Sequence, residues 1–131
     1  MNVNLRDKHL INQRPEISSA KIFEASSRFE TFQNQVLRPI LKFQSDLLIE
    51  VFLSRIKTKN RDLSALSFLE KQEIIITQFK TNTTLKQMLL GCVIGLLTTE
   101  EFNYYNFNTS NINKRIFSML KERLLDQWNK L

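Results

Sequence analysis

The sequence is poor in the residues on which most compact reactive sites depend. It has one cysteine, Cys92, one histidine, His9, two glycines, Gly91 and Gly95, and two prolines, Pro15 and Pro39. A single cysteine excludes an intramolecular disulfide framework and any cysteine-based zinc cluster. A single histidine excludes multi-histidine metal sites, and no Glu-x-x-His pair is present to build a di-metal bundle. Two glycines are too few for a glycine-rich phosphate loop. The longest apolar stretch, Met88 to Leu97, falls well short of the roughly 20 residues that span a bilayer. The first 14 residues hold no apolar run of secretory type, so a cytoplasmic location is the expectation.

What remains is an ordinary globular composition. The chain has 131 residues, 42% hydrophobic and 24% charged, which suits one domain and argues against disorder. At this length folding buries roughly two-thirds of the unfolded surface, enough for one core without staples. The net charge is +6, from 19 Lys and Arg against 13 Asp and Glu. The excess is spread along the chain. It favours polyanionic partners only in a general way.

The periodicity is helical throughout, and the fold class expected is all-α, a single-domain bundle of about five or six helices. Residues 1–14 read as a polar, partly flexible tail, docked at most through Leu10 and Ile11, and 15–131 as the helical domain. Pro15 to Ala25 suits a short helix. Ser27 and Glu30 then have the spacing of a capping box, in which side chains satisfy the free N–H groups of a first turn. From there Phe29, Phe32, Val36, Ile40, Phe43 and Leu47 share one stripe, and Leu37, Leu41, Leu48, Phe52 and Ile56 an adjacent one. These predict a long helix over about 28–57, some ~45 Å if straight, kinked at Pro39.

Thr58 to Leu63 reads as a connector. Ser67 and Glu70 open a second helix to about Lys80, despite the β-branched run Ile74 to Ile76. Thr81 to Thr84 is a turn in which Asn82 suits a left-handed conformation. A helix over about 85–97 is apolar nearly all round and therefore buried, with Gly91 and Gly95 expected at a close helix crossing. Thr98 and Glu101 open a short helix to Phe107, Asn108 to Asn111 turns the chain, and Ile112, Ile116, Leu120, Leu124 and Leu131 mark a final amphipathic helix.

Two clusters stand out as candidate sites. Arg55, Lys57, Lys59 and Arg61 alternate without an acid among them, which suits phosphate contacts; cations also suit the negative end of a helix. Phe102, Tyr104, Tyr105 and Phe107 crowd four aromatics onto one short helix and cannot all face one core. Exposed, they would anchor a protein interface; a helix wedged between two others would bury them instead, and a base-stacking platform is the third alternative. Cys92 lies in the most apolar helix and His9 in the tail, so neither suggests a nucleophile and base. No catalytic, metal-binding or cofactor-binding residue is expected.

The segments Phe32-Gln33, Leu37 to Gln44, Leu89 to Gly95 and Asn113 to Ile116 resemble a family of short all-helical proteins from Bacteroidetes, some of which carry the label glyoxalase. Glyoxalases use paired βαβββ modules whose strands supply His and Glu metal ligands. Strands are not expected here and one histidine is present, so that activity does not transfer, and the resemblance implies no role for any residue. The expectation is a non-catalytic helical protein acting through protein contacts, a homodimer among the options, with a nucleic-acid or ribosome-associated basic protein as the alternative. A small-ligand pocket inside the bundle is a third option.

Overall fold

A computed structural model describes residues 4–16, 27–56 and 65–131. The described residues are helical and none lies in a strand: α1 (Leu5–Gln13), α2 (Arg28–Phe32), a π turn (Gln33–Leu37), α3 (Arg38–Phe43), α4 (Ser45–Arg55), α5 (Phe68–Thr81), α6 (Thr83–Ile94), α7 (Thr99–Phe107) and α8 (Thr109–Asn129). The expected short helix at Pro15 to Ala25 and the connector at Thr58 to Leu63 lie almost wholly outside the described residues. The all-α bundle expected from the sequence is the fold observed.

α8 is the centre of the bundle. Ile112, Ile116, Leu120 and Leu124 are completely buried and Trp128 nearly so, a stripe repeating every four residues. It packs on α5, α4 and α6, while α6 lies along α4. Phe52 meets Trp128 edge-on at 5.5 Å and Phe79 meets Phe117 at 6.1 Å, which ties α4 and α5 to α8. Leu131 does not join the stripe; it lies past the last helical turn and is exposed.

The long helix runs from α2 through α4, and its interruption takes a specific form. Pro39 has no N–H to give and its ring crowds the preceding turn. The backbone widens ahead of it into the π turn, where the Arg38 N–H donates to the Gln33 carbonyl five residues back. Pro39 thus falls in the first turn of α3, where a missing N–H is tolerated. A second irregularity at Gln44 keeps its backbone bonds, and the Gln44 amide donates to the Cys92 carbonyl at 3.0 Å, joining α4 to α6. The second stripe is buried except for half-buried Ile56, whereas the first surfaces at Phe43 and Leu47.

Both capping boxes at Ser67/Glu70 and Thr98/Glu101 form completely. At Ser27 the hydroxyl accepts from the Glu30 N–H. Asn82 departs from expectation. Its φ is −97°, not left-handed, because its side chain does the work instead. Buried at the α5–α6 junction, its Oδ1 accepts from the Leu85 N–H at 3.2 Å and its Nδ2 donates to the Arg55 carbonyl and to Gln78 Oε1. One residue therefore caps α6 and fastens the end of α4 to α5. The expected turn at Asn108 to Asn111 shrinks to Asn108 alone.

Among the described residues the glycines do not make a close crossing. A Cβ on Gly91 would meet nothing within 4 Å, and on Gly95 only the Gly91 carbonyl, at 3.0 Å. Both are exposed, so α6 is buried on one side through Leu85, Leu89, Leu90 and Val93 and open on the other.

The expected polar tail contains α1, and polar contacts dock it. Buried Asp7 accepts from the Thr99 N–H and, at 2.7 Å, from the Thr99 hydroxyl, so it caps α7 from another helix. Arg6 donates to the Gly95 and Leu97 carbonyls, and Arg14 grips Glu101 through two bonds of 2.7 and 2.5 Å. Leu10 is half-buried; Ile11 is exposed.

Candidate functional site

The two clusters picked out by sequence fare differently. Arg55 is exposed in the last turn of α4, and Lys57, Lys59 and Arg61 lie outside the described residues. The aromatic cluster divides. Tyr105 is buried and its hydroxyl donates to Asn113 Oδ1 at 2.6 Å. Tyr104 is half-buried, stacked on Phe32 at 4.8 Å, with the Arg28 guanidinium over its ring at 4.8 Å. Phe102 is 44% exposed and Phe107 87% exposed. Half the cluster is structural and half faces outward.

No group of three or more metal-ligating side chains occurs among the described residues. His9 is exposed on α1, while Cys92 is half-buried on α6 and burial pushes its thiol up, away from the reactive thiolate. Glu101 is occupied by Arg14 and the Thr98 cap. The small apolar cleft between Leu10, Ile40, Phe43 and Leu96 holds about 50 Å³, too little for the few hundred Å³ of an ordinary ligand site.

Among the described residues a trough lies between α8 and the run from α2 to α4. At ~100° per residue, the positions one before the core stripe of α8 flank that stripe, and these are Asn111, Arg115, Met119, Arg123 and Gln127. Lys114, Ser118, Glu122, Asp126 and Lys130 lie beside them, and the opposite wall carries Phe29, Gln33, Arg38, Lys42 and Ser45. One compartment of about 770 Å³ shares Arg115 and Ser118 with a second of about 450 Å³, which shares Tyr104 and Asn108 with a third at Phe107. From Asn108 to Lys130 this follows α8 for about 33 Å at 1.5 Å per residue. A length of that order suits an extended chain better than a compact metabolite.

Its electrostatics are unusual in how the cations are held. Arg115 Nε donates to Gln33 Oε1 at 2.6 Å, Arg38 Nε to Asn34 Oδ1 at 2.9 Å, and Arg123 Nη1 to Ser45 Oγ at 3.0 Å. Arg28 rests on the Tyr104 ring. Each guanidinium is oriented by a neutral group, and several of its five donors stay uncommitted. Among the described residues, Arg28, Arg38, Lys42, Lys114, Arg115 and Arg123 have no carboxylate within 4 Å; the ion pairs present are Arg6–Asp7, Arg14–Glu101 and Lys130–Asp126. Burial and then the charge of Arg38 lower the Arg123 pKa, partly offset by Asp126. Two guanidiniums are thus held close enough to repel. A carboxylate partner would have paired each charge directly; amide and hydroxyl acceptors fix the side chains and leave them without an ion-pair partner.

Sequence reasoning passed over this site. In the sequence Lys114, Arg115, Lys121 and Arg123 are interspersed with Glu122 and Asp126, and Arg38 and Lys42 sit over 70 residues earlier. The available signal was the spacing of Arg115 and Arg123, eight apart and so on one face of α8, matched by Arg38 and Lys42 four apart on α3. No family model, curated protein or solved structure matches this chain.

Proposed function

We propose that the chain is a nucleic-acid-binding helical protein, and that the trough along α8 is where the phosphate backbone lies. The observation that carries this reading is the set of arginines held by neutral acceptors, with no carboxylate within 4 Å of them among the described residues, Asp126 acting on Arg123 only from farther off. Such cations neutralise phosphates and release counterions, the main sequence-independent source of nucleic-acid affinity. The length of the trough, the mixture of cations with aromatic rings at one end, and the overall charge of +6 support the same reading. No side chain within it suggests catalysis.

Protein contact is the second reading, favoured by exposed Phe102 and Phe107 on α7 and by exposed Phe43 and Leu47 around the α3–α4 junction. Size-exclusion chromatography with light scattering separates the two, recorded at 260 and 280 nm on protein purified at low salt. A nucleic-acid-rich peak that becomes clean protein in high salt is the expected result. A clean dimer at both salts would replace this proposal with self-association.

A further inference from the structure

The trough changes character at its Asn108 end. There the walls are formed by Arg28, Phe29, Glu100, Asn103, Tyr104, Phe107 and Asn111, so that rings and amides join the charged groups that line the rest. We infer that this corner is a base-stacking platform and that the trough is built for single-stranded nucleic acid. The inference rests on the nucleic-acid reading above and adds the strandedness and the end at which bases are held.

Phe107 is the argument's main residue. Among the described residues it is the most exposed of the large hydrophobic side chains, and no ring contact there ties it to the rest of the fold. Its backbone, in contrast, is held firmly. α7 and α8 are joined by Asn108 alone, whose Nδ2 donates to the Tyr104 carbonyl at 2.9 Å. Thr109 Oγ1 donates to the Tyr105 and Asn106 carbonyls, and the Tyr105 hydroxyl reaches across to Asn113. An apolar ring on a braced corner loses little freedom when something flat is laid on it.

The neighbouring chemistry is complementary to a nucleotide. Arg28, supported from beneath by Tyr104 and Phe32, offers a guanidinium plane on which a base can also stack. The amides of Asn103 and Asn111 can pair with base edges, and Lys114 and Arg115 lie where the trough continues toward phosphates. In a duplex the base faces are buried against one another, so the corner contributes only when the strand is single. A protein partner would find the same ring attractive, but the continuity with unneutralised arginines favours a polyanion that also carries flat rings.

The test uses the full chain and three labelled probes at one salt concentration: a 12-nucleotide oligouridine, a duplex of equal length, and inorganic polyphosphate, which has charge but no bases. Oligouridine should bind more tightly than either. Phe107→Ala should weaken oligouridine binding by about tenfold and leave polyphosphate unchanged, whereas Phe107→Trp should retain affinity, its indole fluorescence quenched only by the single strand. Arg123→Gln should weaken all three probes. If Phe107→Ala leaves oligouridine binding intact, or if its only effect is to break a dimer, the stacking platform is overturned while polyanion binding stands. If no probe binds at low salt, the nucleic-acid reading falls and this inference with it.

Discussion

Replacing Asn82 by alanine should be among the more damaging single changes outside the hydrophobic core. The side chain is 5% exposed and makes three hydrogen bonds at a junction of three helices. Loss of the α6 N-cap costs about 1 kcal/mol. The two amide donors, to the Arg55 carbonyl and Gln78 Oε1, add about 1 kcal/mol each as net contributions. Water can reach the part-buried Arg55 carbonyl and recovers some of this, so about 2–3 kcal/mol is expected. For a chain of this size each kcal/mol moves Tm by about 3–5 °C, so Tm should drop by about 6–15 °C. Urea unfolding followed by circular dichroism measures it, with the midpoint falling and the slope unchanged. Asn82→Ser keeps a capping oxygen without the amide donors and should recover about 1 kcal/mol. A loss under about 0.5 kcal/mol for the alanine variant, the usual range for an unremarkable surface site, would refute the view that this residue joins α4, α5 and α6.

Two further outcomes follow from local geometry. Gly91→Ala should stabilise the protein by about 0.5–1 kcal/mol, because a Cβ there meets nothing and helix propensity improves; Gly95→Ala, 3.0 Å from the Gly91 carbonyl, should not. Urea midpoints decide this, and destabilisation at Gly91 would mean that something packs on that face after all. Native Cys92 should react with a thiol reagent at pH 8 more slowly than the urea-unfolded chain, since burial raises its pKa. With the folded pKa above the unfolded one, its stabilising contribution is present below about pH 8.5 and is lost as pH rises through the folded value. Equal rates in the two states would contradict the burial argument.

The parts of the fold readable from sequence were those set by local rules. The stripe Ile112, Ile116, Leu120, Leu124 and the hydroxyl–carboxylate pairs at residues 67/70 and 98/101 act within one or two helical turns, so spacing alone reveals them. Features that depend on distant segments stayed hidden. α1 is docked by Asp7, Arg6 and Arg14 on partners some 90 residues away, and nothing in its own polar composition suggests a surface to dock on. Gly91 and Gly95 have the spacing of a helix crossing, but among the described residues no helix packs on them. Pro39 signalled a disturbance correctly, while the contact made from the widened turn, Gln33 with Arg115, depended on where α8 lies.

The candidate site was illegible for a related reason. The exposed halves of the aromatic cluster, Phe102 and Phe107, cannot be told from the buried Tyr105 without knowing which face of α7 meets α8. The trough needs Arg38 and Arg123 side by side, and its distinguishing property is what surrounds the arginines rather than how many there are. Linear charge counting sees Glu122 and Asp126 next to Arg123; space puts Ser45 and Arg38 there too.

The most direct test of the account adds carboxylates where the trough has neutral acceptors. Gln33→Glu combined with Asn34→Asp is close to isosteric and converts the partners of Arg115 and Arg38 into ion pairs. Single-stranded oligonucleotide affinity is then measured by fluorescence anisotropy across 50–200 mM salt. With Arg38, Lys42, Lys114, Arg115 and Arg123 contacting phosphates, the unmodified protein should show a log–log slope of about −3.5, near a 100-fold loss over that range. In the double variant the fold and Tm should be retained while affinity drops and the slope moves to about −2, as two phosphate contacts are lost. Unchanged affinity and slope in a folded double variant would contradict the claim that these uncancelled guanidiniums are the binding surface.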